Sequence, residues 1–204
     1  MSSFKREKAS PATFSAYTSM CLSTLRAIET AAAFDRLALT PTAATVSRKC
    51  LAHILADARL LATDDLLETC TAGLAIRTLT FGQAETCCQL LAAQIDGVAD
   101  LRRLCGLLVA CGKSAFLFEQ KGPKNTAGLA SFVDRLLDII LLRLHPQKAK
   151  DPKSEQRIPT FDWLAFLKAL NSLKLNVKTS RFALIAEITI EYLNSTEEKS
   201  SRVL

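Results

Sequence analysis

The first residues in the chain whose types suggest chemistry are Gly106-Leu-Leu-Val-Ala-Cys-Gly112-Lys113-Ser114, because glycines followed by lysine and serine can cradle nucleotide phosphates. The spacing excludes that use. A phosphate loop has about four residues between its glycines, whereas here five stand between them and continue a helical stripe. Nothing strand-like precedes the segment to fan backbone amides around a phosphate. Gly112 is therefore expected to be a helix C-cap, with Lys113 near the negative end of the dipole.

Thiol chemistry is the next class. Cys21, Cys50, Cys70, Cys87, Cys88, Cys105 and Cys111 form no Cys-x-x-Cys pair, and the only histidines, His53 and His145, are far apart. Zinc would want paired ligands at short loop spacings, so the cysteines are expected to be small core hydrophobes in a reducing compartment. A nucleophilic cysteine would need an adjacent base. His53 instead lies between Leu51 and Ile54 on a predicted helix, and His145 precedes Pro146 at a helix end, where imidazole serves the last carbonyls. Asp64 with Asp65 suits a helix start, and Asp134 with Asp138 suits a solvated face. No constellation demands an enzyme, so the expectation is a non-catalytic protein with no cofactor, metal or small-molecule substrate.

The basic residues are the stronger lead. The net charge is +6, and its location matters. Residues 1–102 hold 10 Lys and Arg against 10 Asp and Glu, whereas residues 103–204 hold 16 against 10. The candidate RNA contacts are Lys113, Lys121, Lys124, Lys148, Lys150, Lys153, Arg157, Lys174, Lys178 and Arg181. Lined up on one surface they would attract phosphates with strong salt dependence. Phe116, Phe118, Phe161 and Trp163 flank the basic loops and could stack on bases, although their helical spacing equally suits a core. A solvated surface that keeps the chain dispersed is the alternative use of the charge.

These residues need elements to position them. With 49% hydrophobic residues, 6% aromatics, 7 Gly and 6 Pro, the composition favours helices over turn-rich sheets. No segment approaches the ~20 apolar residues of a membrane span. Residues 1–12 are expected to be a disordered basic tail or a transit remnant, 13–194 a single domain of about four helix pairs with a basic loop near 146–159, and 195–204 a polar tail. The first helix should bury Tyr17, Met20, Leu25 and Ile28; the second, starting at Thr40-Pro41, Val46, Cys50, Leu51 and Ile54. Thr63 should cap a third helix carrying Leu66, Leu67, Cys70 and Leu74, followed by one with Cys87, Cys88, Leu91 and Ile95. The third pair carries Leu104, Cys105, Leu108 and Cys111, then Phe132, Leu136, Ile140 and Leu144. The fourth carries Trp163, Phe166, Leu170 and Leu173, then Phe182, Ile185, Ile188 and Tyr192.

The pairs resemble one another. A shift of about 35 residues, a helix-hairpin period, sets Leu66 on Leu101, Cys70 on Cys105, Ala75 on Ala110 and Phe81 on Phe116. Leu167, Leu170 and Leu173 continue the stripe of Cys105, Leu108 and Cys111. The expected fold is all-α, with antiparallel helix pairs stacked as a short α-solenoid; an irregular helical bundle is the alternative.

The runs Asp100 to Gly112, Leu66 to Leu79 and Phe161 to Leu175 resemble the first helices of organellar helical repeats of the heptatricopeptide and octotricopeptide type, relatives of pentatricopeptide repeats. The resemblance spans residues 64–194. It implies a subunit of a mitochondrial ribonucleoprotein assembly, in RNA processing, editing or the mitoribosome, with a cytoplasmic location as the alternative. Its basic C-terminal half would then meet RNA and its N-terminal half would meet protein subunits. The residues by themselves leave a purely protein-binding scaffold open.

Overall fold

Proline in a first turn, and a short polar side chain just before it, fix where a helix begins because the first amides lack intrahelical acceptors. A computed structural model describes residues 11–35, 40–119, 126–144, 162–173 and 179–201, and among these residues the fold is all-α with no strand. Helix α1 is Pro11–Asp35 and α2 is Pro41–Ala56, where Thr40 accepts from the Ala43 amide and Pro41 opens the first turn. Helix α3 is Thr63–Ala75, and α4 is Phe81–Ala92, started by a reciprocal box between Thr80 and Gln83. Asp100 starts α5, Leu101–Lys113, by accepting from the Arg102 amide; a short α6, Ala115–Glu119, and then α7, Thr126–Leu144, follow. Asp162 accepts from the Ala165 amide at the start of α8, Trp163–Ser172, and α9 is Thr179–Ser201. Helix α9 thus continues beyond residue 195, where the sequence pattern turns polar. Segments 1–10 and 145–161, the expected tail and basic loop, lie outside the described residues.

The helices pack in two rows. In one, α1 contacts α3, α3 contacts α5, and α5 contacts α8; in the other, α4 contacts α7 and α7 contacts α9. Across the rows α1 packs on α2, α3 on α4 and α5 on α7. Helices α8 and α9 are joined by the stacked rings of Trp163 and Tyr192, 5.7 Å between centroids.

Burial repeats along each row in a definite register. Leu66, Leu67, Thr69, Cys70, Ala72 and Gly73 of α3 are buried, and so are the residues 38 further on in α5: Leu104, Cys105, Leu107, Leu108, Ala110 and Cys111. Moving 62 residues from α5 to α8 sets Leu104, Leu107, Leu108 and Cys111 on Phe166, Ala169, Leu170 and Leu173, all buried, and the cap Asp100 on the cap Asp162. The α2 segment follows the same burial order as α4, with Ser47, Leu51, Ile54 and Ala58 mapping onto Ala84, Cys88, Leu91 and Ile95 at 37 residues. Ala84, Cys88, Leu91 and Ile95 map in turn onto Leu129, Val133, Leu136 and Ile140 at 45. From α7 to α9 the shift is 48, placing Leu137 and Ile140 on the buried Ile185 and Ile188.

Several expectations are corrected by these positions. The 35-residue match fails because it sets Leu67, 1% exposed, on the exposed Arg102; matching Leu and Ala by type ignored which face each occupies. The α5 to α8 correspondence read from the sequence has the observed 62-residue register. Tyr17 and Met20 are exposed, and α1 turns Thr18, Cys21, Leu22 and Leu25 inward instead. Val46 is exposed while Ser47 is buried, its hydroxyl satisfied by the Ala43 carbonyl. Phe182 points outward, 68% exposed. Thr63 is the first residue of α3 rather than its cap, and its hydroxyl meets the Gln94 side chain.

Gly112 is not a C-cap. Helix α5 runs through Lys113, no described glycine has positive φ, and Ser114 ends the helix. A Cβ on Gly112 would stand 2.5 Å from both Cα and Cβ of Ala169, so the missing side chain is what lets α5 and α8 approach. Gly112→Ala is therefore expected to cost about 1–3 kcal/mol by forcing the two helices apart. Gly106→Ala, in the same helix with nothing within 4 Å of its Cβ, should instead stabilise by about 0.5–1 kcal/mol. Urea unfolding of both variants checks the pair; equal effects would refute the close approach.

Candidate binding surfaces

Of the ten basic residues expected to meet RNA, two are described. Lys113 is exposed at the end of α5. Its ammonium opposes the burial that pushes the Glu29 carboxyl on α1 above its ordinary range. Arg181 is bound to Asp134 at 2.9 Å and Asp138 at 2.6 Å, with its side chain only 19% exposed. Burial disfavours its charge, but the hydrogen bonds it donates to Asp138 and Asp134 outweigh that and keep it protonated. Lys121, Lys124, Lys148, Lys150, Lys153, Arg157, Lys174 and Lys178 lie outside the described residues. Among the possible stacking aromatics Phe116 is exposed, Phe118 packs against the core, and Trp163 is buried on Phe166; Phe161 lies outside the described residues.

Five of the described arginines do a different job. Arg103 of α5 reaches Asp64 of α3, at 2.5 Å to the carboxylate and 3.1 Å to the carbonyl. Arg135 of α7 pairs with Asp96, and Arg143 donates to the carbonyls of Val98 and Asp96. Arg181 of α9 closes on α7, and Arg26 of α1 pairs with Glu68 of α3. Every partner is 39 to 47 residues away, about one repeat. Exposed pairs of this kind contribute roughly 0–1 kcal/mol each, so their effect is chiefly on register. Sequence reasoning missed the acidic partners. The available signal was the coincidence of Arg–acid spacing with the repeat length.

The charge divides accordingly. The described residues carry 13 Lys and Arg against 17 Asp and Glu, a net −4; the others carry 13 against 3, a net +10. The excess attributed to the second half therefore belongs to segments such as 120–125, 145–161 and 174–178 and not to the helices between them.

A cleft of about 360 Å³ lies between α1 and α3, lined by Thr18, Ser19, Ser23, Arg26, Asp65 and Glu68. An adjoining one of about 530 Å³ shares Arg26, Asp65 and Glu68 and extends to Asp64 and Arg103. The Arg26–Glu68 and Arg103–Asp64 pairs occupy much of their polar walls. The buried Thr18 hydroxyl has no hydrogen-bond partner. Among the described residues no three His, Cys, Asp or Glu side chains are placed to hold a metal ion.

The thiols lie where a core explains them. Cys21, Cys70, Cys87, Cys88, Cys105 and Cys111 are buried and Cys50 is half-buried. Burial, then the nearby Asp100, pushes the Cys105 thiol to about 12. Burial, then Cys50, pushes Cys21 to about 11. Cys70 is raised by hydrogen bonding to Cys87 and Cys88, and Cys111 by burial. His53 sets its ring edge-on against Tyr17 at 4.3 Å, and His145 lies outside the described residues.

No protein-family model matches the sequence, and neither a curated protein nor a solved structure matches the chain.

The thiol environments have a measurable consequence. In the folded protein iodoacetamide at about pH 8 should label Cys50 fastest, the other six reacting only on unfolding. Above pH 9.0 the unfolded chain gives up protons that Cys21 and Cys105 retain in the fold up to about 11 and 12. The unfolded state then binds fewer protons, so their contribution to stability is complete below pH 9 and declines through that window. Urea midpoints measured from pH 8 to 11 should fall, and a Cys105→Ala variant should show a shallower decline; identical slopes would contradict the assignment.

Proposed function

We propose that the chain is a non-catalytic helical-repeat scaffold, built as a short α-solenoid, that serves as a subunit of a mitochondrial ribonucleoprotein assembly. Its helical body meets protein neighbours, and the lysine-rich segments between helices meet RNA phosphates. The observation that supports this reading best is the placement of charge: the described α-helices hold 11 Lys and Arg against 13 Asp and Glu, a net −2, while segments 120–125, 145–161 and 174–178 together hold 8 against 2, a net +6. An acidic body repels phosphate at long range, and a basic segment attracts it. Segment 120–125 holds Lys121 and Lys124 without an acid, 174–178 holds Lys174 and Lys178, and 145–161 sets Lys148, Lys150, Lys153 and Arg157 against Asp151 and Glu155.

The resemblance of α5 and α8 to organellar helical repeats supports the compartment and the partner class. With Phe118 and Trp163 committed to packing, contact through phosphates fits better than stacking on bases, so little sequence preference follows. A purely protein-binding scaffold is the second reading, favoured by the use of Arg103, Arg135, Arg143 and Arg181 inside the seams.

Anisotropy titrations of the full chain with single-stranded RNA over a salt series test the choice. The expected outcome is binding that weakens steeply with salt. Reversing Lys148, Lys150, Lys153 and Arg157 to Glu should reduce the log–log salt slope by up to about 3, at roughly 0.7 per phosphate contact. No affinity at about 20 mM salt removes RNA and leaves the protein scaffold; an unchanged slope moves the contact to other segments.

A further inference from the structure

The 48-residue register between α7 and α9 assigns a role to the outer face of α9. On α7, Asp134 and Asp138 receive the next helix by holding Arg181. Their equivalents on α9 are Phe182 and Ala186. The position that receives a neighbour is therefore apolar on α9, and Ile190 continues it one turn further. Phe182 is 68% and Ile190 58% exposed, with the exposed Ala186 between them, all on one stripe at i, i+4 and i+8. Glu187 and Glu191, both exposed, lie alongside.

We propose that this face docks an amphipathic helix of a partner protein, which lays its apolar side on Phe182, Ala186 and Ile190 and sets Lys or Arg against Glu187 and Glu191. Ala186 leaves room for close approach, and the partner takes the place of a further helix in the row. Three of the four arginine–acid seams show the same polarity: α5, α7 and α9 each bring an arginine to an acid of the preceding unit, in Arg103–Asp64, Arg135–Asp96 and Arg181–Asp134, whereas Arg26–Glu68 runs the other way. A second copy of this chain is a poorer occupant, because pairing α9 with itself about a two-fold axis sets Glu187 and Glu191 against their own copies. The same carboxylates repel RNA. The proposal goes beyond the ribonucleoprotein reading and uses none of the residues assigned to phosphate.

The test places p-benzoylphenylalanine in the full chain at Phe182 and, as a control, at the exposed Ala52 of α2, with photo-crosslinking in the cell of origin. Support consists of a cross-linked protein segment with helical apolar spacing and at least two Lys or Arg, whose yield falls about tenfold or more, near 1.4 kcal/mol, in the Glu187→Lys/Glu191→Lys variant. Helicity and the urea midpoint of that variant should match the parent. Cross-linking to a second copy or to RNA, to a segment without basic residues, at no more than the Ala52 yield, or independently of the charge reversal overturns the proposal. Because the RNA titration uses other residues, failure of either reading leaves the other standing.

Discussion

Helix α5 must be buried on three sides at once, against α3, α7 and α8, and the rest of the fold is arranged around that requirement. A helix in such a position cannot carry bulky residues all round, because neighbouring helix axes lie about 8–10 Å apart. Gly112 meets Ala169 with no room for a Cβ, and the serine that ends the helix is fully buried. Its hydroxyl donates to the Leu74 carbonyl at 2.6 Å, supplying a hydrogen bond to a carbonyl at the end of α3. The cysteines belong to the same economy of volume. Cys70, Cys87, Cys88 and Cys111 are buried where α3, α4 and α5 converge, as small apolar side chains that need no strong partner.

Apolar stripes settle which face is buried but leave register open. Leucines and alanines recur every three or four residues, so a helix slipped by one turn can still bury much of the same area. The seam arginines discriminate among such slips. Arg181 requires two aspartates one turn apart on α7, and Arg143 requires two carbonyls in the turn before α5. A slip of about 5 Å, one helical turn, would break these contacts and leave the charges unpaired near the surface. Their net contribution to stability is small, yet the difference between one register and its neighbours includes all of them.

This explains what was legible in the sequence. Helix type, the inward stripes of α3, α4, α5, α7 and α8, and the burial of most cysteines follow from local periodicity, which each segment carries by itself. Failures occurred where the missing information was nonlocal. Gly112 has the local signature of a cap, and only the arrival of α8, more than 50 residues later, shows that it is a contact point. Tyr17, Met20 and Phe182 satisfy helical spacing, but among the described residues α1 and α9 are not enclosed by neighbours on every side, so period alone does not decide which side faces inward. The candidate RNA residues share only a sign of charge and a place in one half of the chain. Whether a charge is available depends on a partner one repeat away, as Arg181 illustrates.

One signal in the composition does separate the two kinds of cation. Among the described residues Arg outnumbers Lys, 9 to 4, and all five cations seen to bridge helices or turns are arginines. The chemistry of the side chains accounts for the sorting. A guanidinium is planar, weakly hydrated and able to donate to two acceptors at once, as Arg103, Arg143 and Arg181 all do here. It can therefore leave water to join a seam at little cost. An ammonium is a compact, strongly hydrated charge that loses more by immobilisation. Lysine accordingly suits segments whose charge acts through solvent, whether on a phosphate or simply to keep the chain dispersed. An arginine whose spacing to an acid matches the distance between packed helices marks a seam, as Arg103, Arg135 and Arg181 do.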